Sequence, residues 1–405
     1  MKTERYISKD IFWTSIFLAI FADAKILNLI VAEVWPSLAG VFMTAMYAVV
    51  VIGLFVMGMF VQKRSIIKIR KIHIFICLLC ILWYFGTVAF VAVPSISFSF
   101  FGIFMIAAFL IPGIIMIDMR TFLLVLFILP SVGIFFINQI FFKELLEIGT
   151  VSMGTCYALL VPVLGNLVYH RFYYSEENIW LRCILLFFVT INIYYLIQMT
   201  MFGSRGPILC VILLLISFFV IKLDDKSKIS FRRGRAVCIV LVAIFMANYF
   251  TIILQMLSDF LATFNISLNV VDKFIRLGDS GDMTNGREAL SDMAWNGIMT
   301  SPFWGNGSSQ FFNNTGEVYP HNFILQMLYD GGIILTSLVV IPILQMLIHK
   351  VNVVLKSEFV CLLFLFFASV PGALFSGDLW NAGLLWMFFG FVLSKNSVFE
   401  KFCKK

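Results

Sequence analysis

Three groups in this chain pair reactive side chains with unusual neighbours. They are Arg205 in Gly203-Ser204-Arg205-Gly206-Pro207, Arg287 in Gly286-Arg287-Glu288, and His321 in Pro320-His321-Asn322. A guanidinium is a planar, permanently charged donor set that can hold two phosphate oxygens at once. An imidazole changes charge near neutral pH, so it can take a proton from a hydroxyl or donate a hydrogen bond to it. Together these are parts that could hold a phosphate leaving group and activate an incoming hydroxyl. Each also has an ordinary reading. Arg205 could reach to lipid headgroups, Arg287 could pair with Glu288 or Asp292, and His321 could be a polar residue at a helix start. Asp330, nine residues after His321 in an apolar run, competes for the base role or pairs with a buried group such as Lys25. Asp378, in a later turn, is a further carboxylate candidate. Trp304, Tyr319, Trp295, Phe311 and Phe312 could stack on sugar faces, with aromatic belts at the membrane interface as the ordinary role for most of them.

The elements that position these groups must cross a membrane. The chain has 405 residues, 61% hydrophobic and 13% charged, with mean hydropathy +1.00. No soluble domain of this length hides that much apolar surface. Apolar runs of about 20 residues recur throughout, enough for a helix to cross a core roughly 30 Å thick. The runs are continuous rather than alternating, which selects helices over a barrel. Twelve spans are expected, near 11–32, 37–61, 72–93, 96–117, 121–142, 148–170, 180–202, 207–221, 236–256, 322–348, 358–376 and 380–394. With both termini inside, the inner loops and tails hold 22 of the 29 Lys and Arg residues and the outer loops hold 5. That asymmetry sets the orientation and an even span count. It also accounts for the net charge of +7 without nucleic acid. Lys350 counts among the inner-loop charges, and His73, His170 and His349 fall near inner span ends. The first span contains Asp23 and Lys25 and is not expected to be a cleaved signal.

The organisation is one all-α polytopic membrane domain with one long insertion. Residues 1–256 carry nine spans, 257–320 form an extracytoplasmic loop, and 321–405 carry three spans and a cytoplasmic tail. The loop is rich in turn residues, including Gly278, Gly281, Gly286, Gly305 and Gly307. Within it, Ala289, Leu290, Met293, Ala294 and Ile298 recur at helical spacing. A helix is predicted from about Arg287 to Met299, ended near Ser301-Pro302. That puts Arg287 in the first turn, at the positive end of the helix dipole. Cys77 and Cys80 form a CxxC inside a span with no second ligand pair nearby, so no metal site is expected. No Asp-x-Asp lies outside to hold a divalent cation, and no cofactor is expected.

In order and in shared membrane side, these motifs resemble the bacterial O-antigen ligase and polymerase family. The resemblance rests on Ser204-Arg205-Gly206 at a span head, Gly286-Arg287 followed by Pro302-x-x-Gly305-x-Gly307, and His321-Asn322 followed by Gly332. It covers about residues 195–345. It implies a GT-C-like helical bundle in the bacterial cytoplasmic membrane, with the active site facing outward. The implied substrate is an undecaprenyl-pyrophosphate-linked oligosaccharide. Arg205 and Arg287 would hold the pyrophosphate, His321 would activate or position the acceptor, and Asn322, Tyr319 and Trp304 would bind substrate. A repeat-unit polymerase, with a chain-length regulator as partner, is the first expectation. An O-antigen ligase using the same donor, a lipid-linked oligosaccharide flippase and a structural assembly partner are the alternatives.

Overall fold

A computed structural model describes residues 8–62, 70–90, 101–203, 205–223, 229–231, 233–264, 271, 275, 287–308, 310–317, 319–353, 356–377, 379, 382–395 and 397–398. Ser204, Gly278, Gly281, Gly286 and Asp378 lie outside the described residues. In chain order the helices are α1 (Lys9–Ala22), α2 (Ala24–Val34), α3 (Ala39–Val56), α4 (Lys71–Phe90), α5 (Phe101–Ile114) and α6 (Met119–Val132). Next come α7 (Ile134–Ile148), α8 (Met153–Phe172), α9 (Ile179–Phe202), α10 (Arg205–Val220) and α11 (Arg233–Ala262). The last five are α12 (Arg287–Thr300), α13 (Gln310–Thr315), α14 (Phe323–Val353), α15 (Lys356–Ser376) and α16 (Gly383–Leu393). One antiparallel hairpin, β1 (Ile221–Leu223) with β2 (Ile229–Phe231), joins α10 to α11.

A described helix falls in each of the twelve expected segments, and α11 runs six residues past the expected end of its span. Among the described residues, α8, α9, α14 and α15 are long and apolar enough to cross a membrane. The count rises to six if the bent pairs α1–α2 and α6–α7 each make one crossing. The chain is a multi-pass helical membrane protein.

The fold divides into two compact units. The first comprises Met1–Ala24, Gly40–Leu126 and Ala289–Lys405; the second comprises Lys25–Ala39 and Phe127–Glu288. In the second unit α8 packs against α9 and α10. The carboxylate of Glu144 closes the turn before α8, accepting from the Ser152 amide at 2.9 Å and the Thr155 hydroxyl at 2.8 Å.

In the first unit α16 lies along α5 and against α15. Phe109 and Trp386 meet edge to face at 5.8 Å, as do Phe122 and Phe364 at 5.7 Å. Two sequence expectations change here. His73, read as interfacial, is fully buried, with its Nε2 2.6 Å from the Phe109 carbonyl oxygen. Lys350, read as a loop charge, is buried at the end of α14. Its Nζ donates to the Phe391 carbonyl at 2.7 Å and pairs with Glu358. Linear distance to a span end does not reveal which helix face a residue occupies.

The irregularity that organises this unit is in α14. Gly332 adopts φ 63° and ψ −171°, a conformation open to glycine, and interrupts the helix. In an unbroken helix the amides of Ile333 and Ile334 would turn to the carbonyls of Tyr329 and Asp330, four residues back. Instead Ile333 donates to the Pro302 carbonyl at 2.8 Å, and Ile334 to that of Phe303 at 3.3 Å. The Tyr329 carbonyl accepts from the Asn306 amide at 2.7 Å, and that of Asp330 from Gly307 at 2.9 Å. The segment Pro302–Gly307 is thus spliced into the helix, with two acceptors and two donors replacing two rungs. Pro302 contributes only its carbonyl, so its missing N–H is no loss. Gly305, at φ 74°, leaves room for the Asp330–Gly331 backbone, into which a Cβ would run. The Trp83 indole also donates to the Asp330 carbonyl, at 3.2 Å.

Gly332→Ala should unfold the splice, because its Cβ would strike the Phe303 carbonyl and lie 2.7 Å from the Gly305 amide nitrogen. Gly149 has a similar φ of 75° but open space around it, so Gly149→Ala should cost only about 1–2 kcal/mol of left-handed strain. In thermal unfolding of the solubilised protein, the Gly332 variant melts well below the Gly149 variant. Equal shifts would mean that the splice contributes nothing beyond glycine's own freedom.

Candidate active site

His321 has φ 57° and is the non-glycine residue with positive φ among those described. Such a conformation costs on the order of 1–3 kcal/mol and persists only where the surroundings impose it. Two neighbours impose it here. On one side, the Asn322 carboxamide oxygen accepts from the amides of Ile324 at 2.9 Å and Leu325 at 3.1 Å. This is an N-cap, and it fixes where α14 begins. On the other side, the Tyr319 ring packs on the imidazole at 4.5 Å between centroids, tilted 56°. The Tyr319 hydroxyl lies 3.5 Å from the Ser376 carbonyl oxygen. His321 therefore lies one residue outside the cap rather than in the helix's first turn, and it is half-buried.

One turn into α14, the buried Gln326 accepts the Leu379 amide at 2.7 Å, while the Trp386 indole donates to the Leu379 carbonyl at 2.9 Å. This tie holds the start of α14 against the segment following α15. The sequence reading missed Gln326; its signal was a polar amide in an otherwise apolar run, four residues after Asn322.

Farther along, Tyr329 is buried with Ala294, Ile298 and Phe311, and its hydroxyl accepts from the Asn314 amide at 2.7 Å. Its neighbour Asp330 is buried too. Lys25, its suggested partner, is an exposed residue of the second unit. Trp304, within the spliced segment, is 65% exposed.

Arg205 opens α10 in the second unit and is half-buried. Before it, Gly203 closes α9 through its amide to the Met199 carbonyl at 3.0 Å, and Phe202 accepts the Val151 amide at 2.8 Å. Pro207 is buried in the first turn of α10, as its fixed φ suits. Arg287 is the first residue of α12, half-buried and assigned to the second unit, and Glu288 beside it is exposed. The helix at Arg287–Thr300 follows the apolar spacing, with Ala294 and Ile298 buried. Ala289 and Met293, expected on the same face, are exposed.

The structure thus joins His321, Tyr319 and the Asn322 cap into one fixed constellation in the first unit, with Trp304 in the same unit on the splice. It puts each arginine at a helix N-terminus. Residues 190–340 match the family model described as O-antigen ligase. The matched segment contains both arginines, the His321 constellation and the whole splice, and it ends within α14. The family is one of membrane glycosyltransferase-like enzymes. No curated protein matches the chain.

Asn322→Asp should keep activity near wild type, because a side-chain oxygen still caps α14. Asn322→Ala should lose the cap, about 1 kcal/mol, and with it most turnover. Comparing the two by product formation and thermal unfolding checks this. Equal loss of activity in both, with the Asp variant fully stable, would give Asn322 a direct role at substrate through its amide nitrogen.

Proposed function

We propose that this protein polymerises undecaprenyl-pyrophosphate-linked oligosaccharide repeat units into a surface polysaccharide. The reaction takes place on the outer face of a bacterial cytoplasmic membrane, crossed twelve times by a GT-C-like bundle with both termini inside. The observation that carries this reading is the segment that matches the O-antigen ligase family model, with a histidine pinned in left-handed geometry inside it.

The chemistry follows from the groups. The bond from sugar C1 to the pyrophosphate oxygen breaks, and the leaving lipid pyrophosphate takes up negative charge. Arg205 and Arg287 stabilise that charge; a fixed guanidinium does so without the reorganisation that water requires. The hydroxyl of the acceptor repeat unit attacks C1 from the opposite face, so the configuration inverts, and its proton passes to His321. Asn322 contributes through its hold on His321. Tyr319 offers an aromatic face to sugar, and a chain-length regulator is the expected partner.

The description of the matching family favours a second reading, in which the same donor is transferred to a lipid-A core. Gly203-Ser204-Arg205-Gly206-Pro207 supports the polymerase reading, as it looks more like the polymerase version of the motif.

The test uses the purified protein in lipid with a radiolabelled, pyrophosphate-linked repeat unit from its host and no other acceptor. A ladder of products is expected, unchanged by EDTA and lost in His321→Ala and Arg287→Ala. Transfer only after lipid-A core is added would replace the polymerase with a ligase. Arg287→Lys should also lose most turnover, because one ammonium cannot make the planar two-point contact. Wild-type turnover in that variant would remove Arg287 from the leaving-group role.

A further inference from the structure

The spliced segment and the second half of α12 expose an unusual amount of apolar surface. Trp295, Met299, Phe303 and Trp304 are all exposed, Met299 at 73% and Trp304 at 65%, and Met293 is exposed beside them. A loop of a multi-pass protein that stood in water would not keep two tryptophans and a phenylalanine open to it at this density.

The splice fixes how deep this surface lies. Phe303 is hydrogen-bonded to Ile334, and Pro302 to Ile333, so these residues share the level of the break in α14. Beyond the break, α14 exposes Ile333, Ile341, Leu344 and Ile348, the pattern of a lipid-facing helix. At its far end the exposed His349 marks the polar boundary. A hydrocarbon core of about 30 Å, at about 1.5 Å per residue, takes up roughly 20 residues. Counting back from His349 puts the other edge of the core near Tyr329. Any tilt of the helix brings more residues inside and moves that edge farther outward. Ile333 and the segment bonded to it therefore lie inside the hydrocarbon boundary.

Polar residues limit the contact from the other side. Glu288 and Asp292, in the first half of α12, are exposed on the flank that Trp295 and Met299 occupy farther along. A carboxylate is costly in the core, whereas tryptophan is at home at its edge.

We propose that the segment from Met293 to Trp304 dips into the leaflet on its side of the membrane. Trp295, Met299, Phe303 and Trp304 then contact acyl chains, and the first half of α12 rises out of the bilayer. The connection between α11 and α14, expected as an aqueous loop, is on this account partly a membrane-contacting element. The proposal rests on the helix splice and on the multi-pass fold, not on the polymerase reading.

The test reads depth rather than activity. The full-length protein in nanodiscs carries one spin label, at Asp292, Met299, Phe303 or the reference site Ile341, in a background with Cys183, Cys238 and Cys403 replaced by serine. Oxygen and a water-soluble nickel chelate compete for the label. The ratio of oxygen to nickel accessibility should rise from position 292 to 299 and reach the Ile341 value at 303. Water-like ratios at 299 and 303 overturn the proposal. Protection from both agents there overturns it in favour of a protein partner or a second copy.

A label that disturbs the splice is covered by a second measurement on the native-cysteine chain. Brominated lipids should quench wild-type tryptophan fluorescence more than that of the Trp295→Phe, Trp304→Phe double variant. Equal fractional quenching would again overturn lipid contact.

Discussion

A backbone group in a membrane has no water to turn to, and the first unit is arranged around that constraint. Breaking α14 at Gly332 turns two amides and two carbonyls away from their ordinary partners. Each would cost about 1–3 kcal/mol if left unpaired in a protein interior, and more in hydrocarbon. The Pro302–Gly307 segment meets all four with its own backbone. This pairing explains why Gly305 and Gly332 stand where they do, and why Pro302 is tolerated. One residue needs no N–H, and Gly305 and Gly332 must let two backbones come closer than any Cβ allows. The motif that accompanies the arginines in sequence is, in three dimensions, a joint.

His321 inherits its position from that joint. The helical stretch Phe323–Gly331 lies between the cap and the break, and it is held at several points. Asn322 caps its start, Gln326 ties it to Leu379, and Tyr329 anchors it among Ala294, Ile298 and Phe311. A short helix fixed at both ends transmits position without bending, so a left-handed residue just outside its cap can be held at a strained φ. Strain of this kind survives where the surroundings over-determine it. The Tyr319 ring adds the last restraint, on the imidazole itself.

Much of the helical framework was legible in the sequence, because apolar run length and 3.6-residue spacing are local signals. The helix at Arg287–Thr300 and the helical segments along the chain could be read that way. What could not be read depends on pairing across sequence. The splice joins residues 23 to 31 apart through main-chain atoms, which carry no side-chain signature. Its glycines therefore looked like turn punctuation. His73 and Lys350 were misread for a related reason: hydropathy locates a residue along the membrane normal but not around the helix. His321 was picked out by chemistry, whereas its backbone conformation and the capping role of Asn322 became visible only once the exact start of α14 was known.

The geometry along α14 also bears on what His321 can meet. With the hydrocarbon edge near Tyr329, the six helical residues Phe323–Leu328 carry the cap about 9 Å farther along the helix axis. The headgroup layer adds only about 5–8 Å on each side of the core. An upright helix would therefore hold the imidazole beyond the phosphate level, among the sugars of a lipid-linked chain; a tilted one would lower it toward the headgroups. Because the acceptor hydroxyl attacks the carbon that carries the pyrophosphate, a base at that hydroxyl and a group at the leaving oxygen stand at nearly the same level. The proposed depth of the splice would give His321 sugars and headgroups, rather than acyl chains, as its neighbours.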